Sequence, residues 1–457
     1  MGEDEGGQVM GATDKLGMEF GQHVMKVTQE LLLGSPRSLS EMERRIREAL
    51  LRVGQFLLGA WVMMQEGPYP AQRIACRCGG EAEYLHKREA VLLTLLGRVG
   101  YRRGYYVCAR CHRGCCPLDE RLGLRPGEMS AELESLVGMT GALMTFAKGS
   151  DLFEQLTLTQ VSPQSMDKAT QALGAEMLRV EKEWLQASED GLALRAQERA
   201  PKDGRRLYGA LDATKVHTHE QQGTEDQGWR DLKVGAWFVT DAPPPDEPQA
   251  DWDIRAEQIT YFCDFAEAKQ FGKLLWATGF QRQALQASEL IFLGDGAEWI
   301  WNLAHDNYPK ATQIVDWFHA AEHLAGVAKA AFEDAKAQCT WRRQVSDLLW
   351  KGEVSQVIQA CQALEGSRGQ EQARQAVTYF TNNASRMDYA TYRSKGYQIG
   401  SGTIESGCKQ LGIQRMKVPG ATWNLEGARL TAKARAALLS NQWPLLTARR
   451  EYLPRVA

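Results

Sequence analysis

Apolar and polar positions change their rhythm several times along this chain, and each change marks an expected element. Ser40 or Ser38, followed by Glu41 and Glu43, reads as a helix start with acidic residues in its first turn. Helical spacing of apolar residues then continues to about Met64. From Arg73 to Leu124 the pattern becomes short β-like runs (AVLLTLLG, VGYRRGYYV) between cysteines. Helical periodicity returns from Met129. Ser162 and Pro163 mark a cap and first turn for a long helix towards Trp184. That helix and the segment Asp151–Gln160 before it form either a helix-turn-helix or a plain helical hairpin.

From Leu207 the rhythm becomes that of a mixed α/β domain. LYGAL runs into Asp212 as a strand, and DLKVGAWFV (Asp231–Val239) and QITYFCDF follow as two more. A Pro/Asp-rich loop from Asp241 separates the second from the third. A helix from about Glu267 comes next, LIFLG runs into Asp295, and a helix starts near Ala297. TQIV then runs into Asp316, and another helix carries His319 and His323. The helical, polar-faced stretch from Lys329 to about Asn383 reads as an insertion. A glycine-rich loop at Gly400 leads into the last helical block. Three strands, helix, strand, helix, strand is the element order of an RNase H-like domain.

The expected organisation is therefore a multidomain α/β chain. A helical region (1–72), a zinc ribbon (73–126) and a helical, possibly helix-turn-helix region (127–204) precede the catalytic domain. The RNase H-like core occupies 205–328 and 396–457, with an all-helical insertion at 329–395.

Composition narrows the partners. The 54 basic residues against 57 acidic ones leave the charge at −3, so any nucleic-acid affinity must reside in local basic faces. The start of the sequence is acidic and glycine-rich without an apolar signal segment, and Phe56–Met64 is too short to span a bilayer. A cytoplasmic protein with no membrane partner is expected. Six of the ten cysteines fall between Cys76 and Cys116, a local cluster that points to a metal site. Cys108-Ala-Arg-Cys111 is one knuckle and Cys76-Arg-Cys78 its expected partner in a four-cysteine zinc site, with Cys115 or Cys116 as alternatives to Cys76.

Three acidic residues stand where chemistry would use them. Asp212 and Asp295 end strands, and Glu405 follows GSGT at the start of a helix. Such carboxylates are hard oxygen ligands for Mg²⁺ or Mn²⁺ in phosphoryl transfer. Each alone is an ordinary turn former or helix cap; together, in that element order, they form a candidate active site.

The sequence resembles the ISKra-type insertion-sequence transposases of the DDE class. The matching motifs are LDATKV from Leu211, FLGDGAEWIW from Phe292, DWFHAAEHL from Asp316, NNASRMDYATYR from Asn382 and GYQIGSGTIESGCKQLGIQRMKVPGATW from Gly396. YYVCARCHRGCCPLDERLGL, closing the cysteine region, also matches. The resemblance implies a DDE triad of Asp212, Asp295 and Glu405. Asp316-Trp-Phe-His319 looks like the (Cys/Asp)-x-x-His motif of Mutator-like and hAT-like transposases, which would make His319 a supporting group near the scissile phosphate. In the cysteine region Ala75 stands where the family pattern has its first cysteine and Cys76 where it has proline.

The implied function is binding of terminal inverted repeats and target DNA by a homodimer or higher homo-oligomer, with metal-dependent cleavage and strand transfer and no covalent intermediate. Lys409, Arg415 and Lys417 would meet phosphates, and Trp423 would stack on an unpaired base or lie in the core. A nuclease without strand transfer and a non-catalytic DNA-binding descendant are the alternatives.

Overall fold

The computed structural model describes residues 12–66, 71–219, 228–240, 254–364, 366 and 368–452. The Pro/Asp-rich run from Asp241 and most of the acidic glycine-rich start lie outside them. The chain divides into two compact units. One comprises Met1–Gly141, Thr145–Ala169 and Pro444–Ala457, and the other Ala142–Met144 and Thr170–Trp443. The boundary falls inside the stretch 127–204.

In the first unit, α1 (Ala12–Leu32) packs on α2 (Leu39–Met64). Ser38 caps α2, its hydroxyl accepting from the Glu41 amide at 3.2 Å. The β-like runs form a four-stranded antiparallel sheet of β1 (Arg73–Ala75), β2 (Glu81–Thr94), β3 (Gly97–Cys108) and β4 (Gly114–Cys115). The runs are longer than their apolar cores suggest, because charged residues such as Lys87 and Arg88 continue β2 through its pairing with β3. A short α3 (Pro117–Leu122), α4 (Ala131–Leu143) and α5 (Phe146–Thr157) follow. The next helix, α6 (Pro163–Glu189), crosses the unit boundary. Its Ser165 amide donates to the Ser162 hydroxyl at 3.1 Å. Leu133, Val137, Phe153, Val161 and Met166 form the core these helices share.

In the second unit α7 (Gly191–Arg199) follows the α6 residues from Thr170 onward. Its sheet contains β5 (Arg206–Thr218), β6 (Gly228–Thr240), β7 (Ala256–Asp264), β8 (Glu289–Gly294) and β9 (Thr312–Val315), in the order β7-β6-β5-β8-β9. β6 is antiparallel to β5 and β7, whereas β8 and β9 run parallel to β5. β5 does not stop at Asp212, as its sequence suggests. The polar tail Ala213–Thr218 stays extended because β6 pairs with it as far as Gly228.

α8 (Ala268–Gln281) and α9 (Glu298–Asn307) fill the connections around β8. Trp237, Phe292 and Tyr308 pack edge-to-face and stacked within 5.6 Å between ring centres, and the Trp237 indole donates to the Thr278 hydroxyl at 2.9 Å. α10 (Trp317–Ala331) leaves β9 and opens a helical excursion of α11 (Ala335–Trp350), α12 (Val354–Gln362) and α13 (Gln370–Asn383), ending in α14 (Tyr389–Ser394). The returning segment lies along edge strand β9. The Tyr389 hydroxyl donates to the Val315 carbonyl at 3.0 Å, and the Arg386 guanidinium donates to the Gln313 side chain at 2.7 Å.

α15 (Gly402–Cys408) and α16 (Leu425–Leu439) then pack on the sheet, and α17 (Trp443–Tyr452) closes the described chain. Below α16 a fully buried charge cluster joins three elements: the Lys433 ammonium lies 2.6 Å from Glu181 and 3.1 Å from Asp264. No helix among the described residues is long and apolar enough to cross a membrane.

Candidate active site and metal centre

The carboxyl ends of parallel strands are where open α/β sheets present ligand-binding groups. Here β5 and β8 stay in register through Ala210 and Leu293, so Asp212 and Asp295 arrive at the same step two residues later. β8 and β9 pair as far as Gly294 and Val315, which puts Asp316 level with Asp295. Three aspartates thus form a row across three neighbouring strands.

Each aspartate is held differently. Asp212 is half-buried; burial raises its carboxyl above the ordinary range and the charge of Asp295 adds to that, against the Ala213 amide and the Cys408 thiol. The Ala213 amide donates to it at 2.6 Å, and the Ala297 amide donates to Asp295 at 2.9 Å. Asp316 is fully buried and fully engaged. One oxygen caps α10 by accepting from the Phe318 amide at 2.9 Å; the other meets the Ser401 hydroxyl at 2.5 Å and His319 Nδ1 at 3.3 Å. Burial would raise this carboxyl, but the bonds from His319 and Ser401 outweigh it and hold it low. The same bond lifts the His319 imidazole to about 9, so the ring is cationic at neutral pH.

Glu405 comes from the other side. α15 lies against β5 and β6, and the five residues after it, Lys409–Ile413, form a wide π-type turn. Gly412 permits this approach, since a Cβ there would come 2.5 Å from the Thr214 side chain, two residues beyond Asp212. Ser401 also lies 3.0 Å from Glu405, so one hydroxyl spans the Glu405 and Asp316 carboxylates. It can donate to only one of them at a time, and the shorter contact goes to Asp316. Lys409 lies 3.9 Å from the opposite oxygen of Glu405.

Asp316, His319 and Glu405 place one ligand atom each within 4.8 Å of one another. Among the described residues Asp212, Asp295 and Glu405 do not close into so tight a group. A two-metal site spreads its ligands, since its ions stand about 3.5–4 Å apart. Asp212, Asp295 and Glu405 are hard oxygen donors of the kind that suits Mg²⁺ or Mn²⁺. Asp316 is occupied as the anchor of His319.

Of the expected DNA-contacting residues, Lys409 is exposed and Lys417 half-buried. Arg415 and Trp423 lie inside the fold, for Trp423 the core position that the sequence also allowed. Arg415 is only 2 % exposed, and its guanidinium lies over the Trp423 ring at 5.0 Å. The Trp423 indole donates to the Met416 carbonyl at 3.1 Å. The two residues stack on each other inside the fold, which removes both from the DNA-facing surface.

In the first unit the four cysteines converge. Cys76 and Cys78 lie in the turn before β2, Cys108 ends β3, and Cys111 sits in the turn before β4. Their sulfurs lie within 4.8 Å of one another, with Cys76–Cys111 at 3.7 Å and Cys78–Cys108 at 3.6 Å. A zinc–sulfur bond of about 2.3 Å in a tetrahedron puts sulfur pairs about 3.8 Å apart, so the group fits zinc. Backbone N–H groups, first that of Cys111, pull the Cys108 thiol down, whereas its neighbouring thiols, first that of Cys78, push Cys76 up against the Cys78 amide. Cys115 and Cys116 stand outside the group, so the short Cys76-Arg-Cys78 knuckle supplies both of its sulfurs.

No family model matches the sequence, and neither does any curated protein. Among solved structures the chain is similar to the Drosophila P element transposase strand transfer complex, at 8 % identity and a TM-score of 0.23. That similarity covers 72 % of this chain and 83 % of the other. A likeness of that size carries no weight for the fold or the site.

Proposed function

We propose that this chain is a DDE-class DNA transposase that cuts and joins phosphodiester bonds at the ends of a bacterial insertion sequence. The observation that carries the reading is the level pair Asp212 and Asp295 at the ends of β5 and β8, with α15, the helix that carries Glu405, packed against β5 and β6. The sheet order, with its second strand alone reversed, supports an RNase H-like core interrupted by the α11–α13 excursion.

In this reading Asp212, Asp295 and Glu405 would hold Mg²⁺ or Mn²⁺, and such ions would supply positive charge for the attacking and leaving oxygens. His319, held by its bond to Asp316, would meet the non-bridging oxygens of the scissile phosphate as a cation. Lys409 neutralises the strand beyond Glu405. Water attacks first and frees a 3′-OH; that hydroxyl then attacks target DNA, with no covalent protein intermediate. The cysteine group holds zinc and folds the ribbon.

Joining two terminal inverted repeats to target DNA calls for at least two copies of the chain. α2 offers a surface for that assembly. Met42, Ile46, Leu50, Leu57 and Trp61 recur at helical spacing and are all exposed, Trp61 by 67 %.

The test is incubation of a labelled end with a target plasmid and Mg²⁺. Joined product supports the transposase. Cleavage without joining would leave a nuclease, and binding without cleavage a non-catalytic descendant.

A further inference from the structure

With Trp423 buried, an unpaired base at the cut end needs a different stacking platform. A groove of about 510 Å³ runs between α10 and α11, within the size range of sites that hold small ligands. Trp317, Phe318 and Ala321 line one wall, and Arg342 and Arg343 the other. Phe318 is 61 % exposed, unusual for a phenylalanine in the first turn of a packed helix. It lies between two residues of the candidate active site's frame, Asp316 and His319.

Three further observations mark the groove as a binding surface. The Phe318 ring rests on the backbone of Gly400, where a Cβ would come 3.0 Å from the ring edge, and Gly400 adjoins Ser401. The Trp317 indole N–H is buried with no hydrogen-bond partner among the described residues, although the ring itself is wedged edge-on between Phe318 and Trp350. Arg342 and Arg343 are exposed, and among the described residues neither makes a hydrogen bond or ion pair. Glu322 and Asp347 also line the groove, so its charge is mixed and the arginines are its anion-facing part.

We infer that this groove receives an unpaired nucleotide of the DNA strand being cut. Its base stacks on Phe318, and the adjoining phosphates meet Arg342 and Arg343. The inference rests on the transposase reading and adds to it the site that holds the strand next to the reacting bond. Aromatic stacking with a nearby cationic wall is how proteins hold single strands without reading their sequence.

The experiment measures binding by the full chain in Ca²⁺, which allows association without turnover. Two probes of the same mixed-sequence duplex are compared, one blunt and one with a short single-stranded overhang carrying a fluorescent adenine analogue. The unsubstituted chain should prefer the overhang and change the analogue's fluorescence. Phe318→Ala should lose roughly tenfold in affinity for the overhang alone, together with the fluorescence change, and Phe318→Trp should restore both. The Arg342→Ala/Arg343→Ala pair should reduce the salt dependence of binding by about two phosphate contacts. Equal affinity of Phe318→Ala and the unsubstituted chain for the overhang would overturn the groove assignment and leave the transposase reading standing. Failure of the unsubstituted chain to bind either probe would overturn both.

Discussion

The Ser401 hydroxyl stands 2.5 Å from Asp316 and 3.0 Å from Glu405, tying the strand end that anchors His319 to the helix that carries the third carboxylate. A site assembled from β5, β8, β9 and α15 depends on such ties, because each of its groups arrives on a different element.

Asp212→Asn, Asp295→Asn and Glu405→Gln keep shape and remove charge. Each should leave the circular dichroism spectrum and DNA binding unchanged while cutting Mg²⁺-dependent cleavage by roughly a thousandfold or more. Near-normal cleavage by Glu405→Gln would mean that the third ligand has been misassigned.

Ser401→Ala should lower activity by less than the triad substitutions and raise the Mg²⁺ concentration needed for half-maximal rate, since Glu405 loses a constraint. Ser401→Thr, which keeps the hydroxyl, should recover most of both. A titration in which Ser401→Ala matches the unsubstituted chain would remove the tie from the mechanism. His319→Ala should slow cleavage without changing the metal requirement.

Metal analysis should find about one zinc per chain. Cys108→Ser or Cys111→Ser should release it and lower the unfolding temperature, whereas Cys115→Ser with Cys116→Ser should retain it. Loss of zinc from that second variant alone would reverse the ligand assignment.

Lys433→Met should destabilise the chain by about 3–5 kcal/mol, because it strands buried Glu181 without its cation and leaves Asp264 with Arg429 alone. Burial alone would raise the Asp264 carboxyl, but Lys433 and Arg429 hold it below its ordinary value. Its contribution to stability is therefore complete above the unfolded carboxyl value near pH 4 and is lost as pH falls through the lower folded value. Thermal melts of the unsubstituted chain and the variant from pH 7 to pH 3 should converge as that contribution disappears. A variant that melts like the unsubstituted chain at pH 7 would show that the cluster contributes nothing.

Trp61→Glu places a charge in the exposed stripe of α2. Light scattering should find the unsubstituted chain dimeric or larger and this variant shifted towards monomer, with unfolding temperature little changed. Two monomeric proteins would move assembly to another surface.

The sequence made Asp212, Asp295 and Asp316 legible because each follows an apolar run, and a strand end is a local signal. It concealed the continuation of β5 beyond Asp212, since ATKVHT is extended only through its partner β6. Nothing local joins Ser401 to Asp316, which are 85 residues apart. The contact between Arg415 and Trp423 was illegible for a related reason. A basic residue and a tryptophan eight positions apart look like a DNA-facing pair until the turn after α15 folds one over the other. The four cysteines needed only proximity in sequence within each knuckle, and the two-residue turn between β2 and β3 did the rest.

The excursion that leaves after α10 returns with Tyr389 and Arg386 laid along β9. That strand is the border of the sheet, and a bare border with free carbonyls recruits other strands. The helices are thus a hem as well as an insertion. A chain trimmed from α11 to α14 would bare this border, and clumping through β9 would accompany any loss of chemistry.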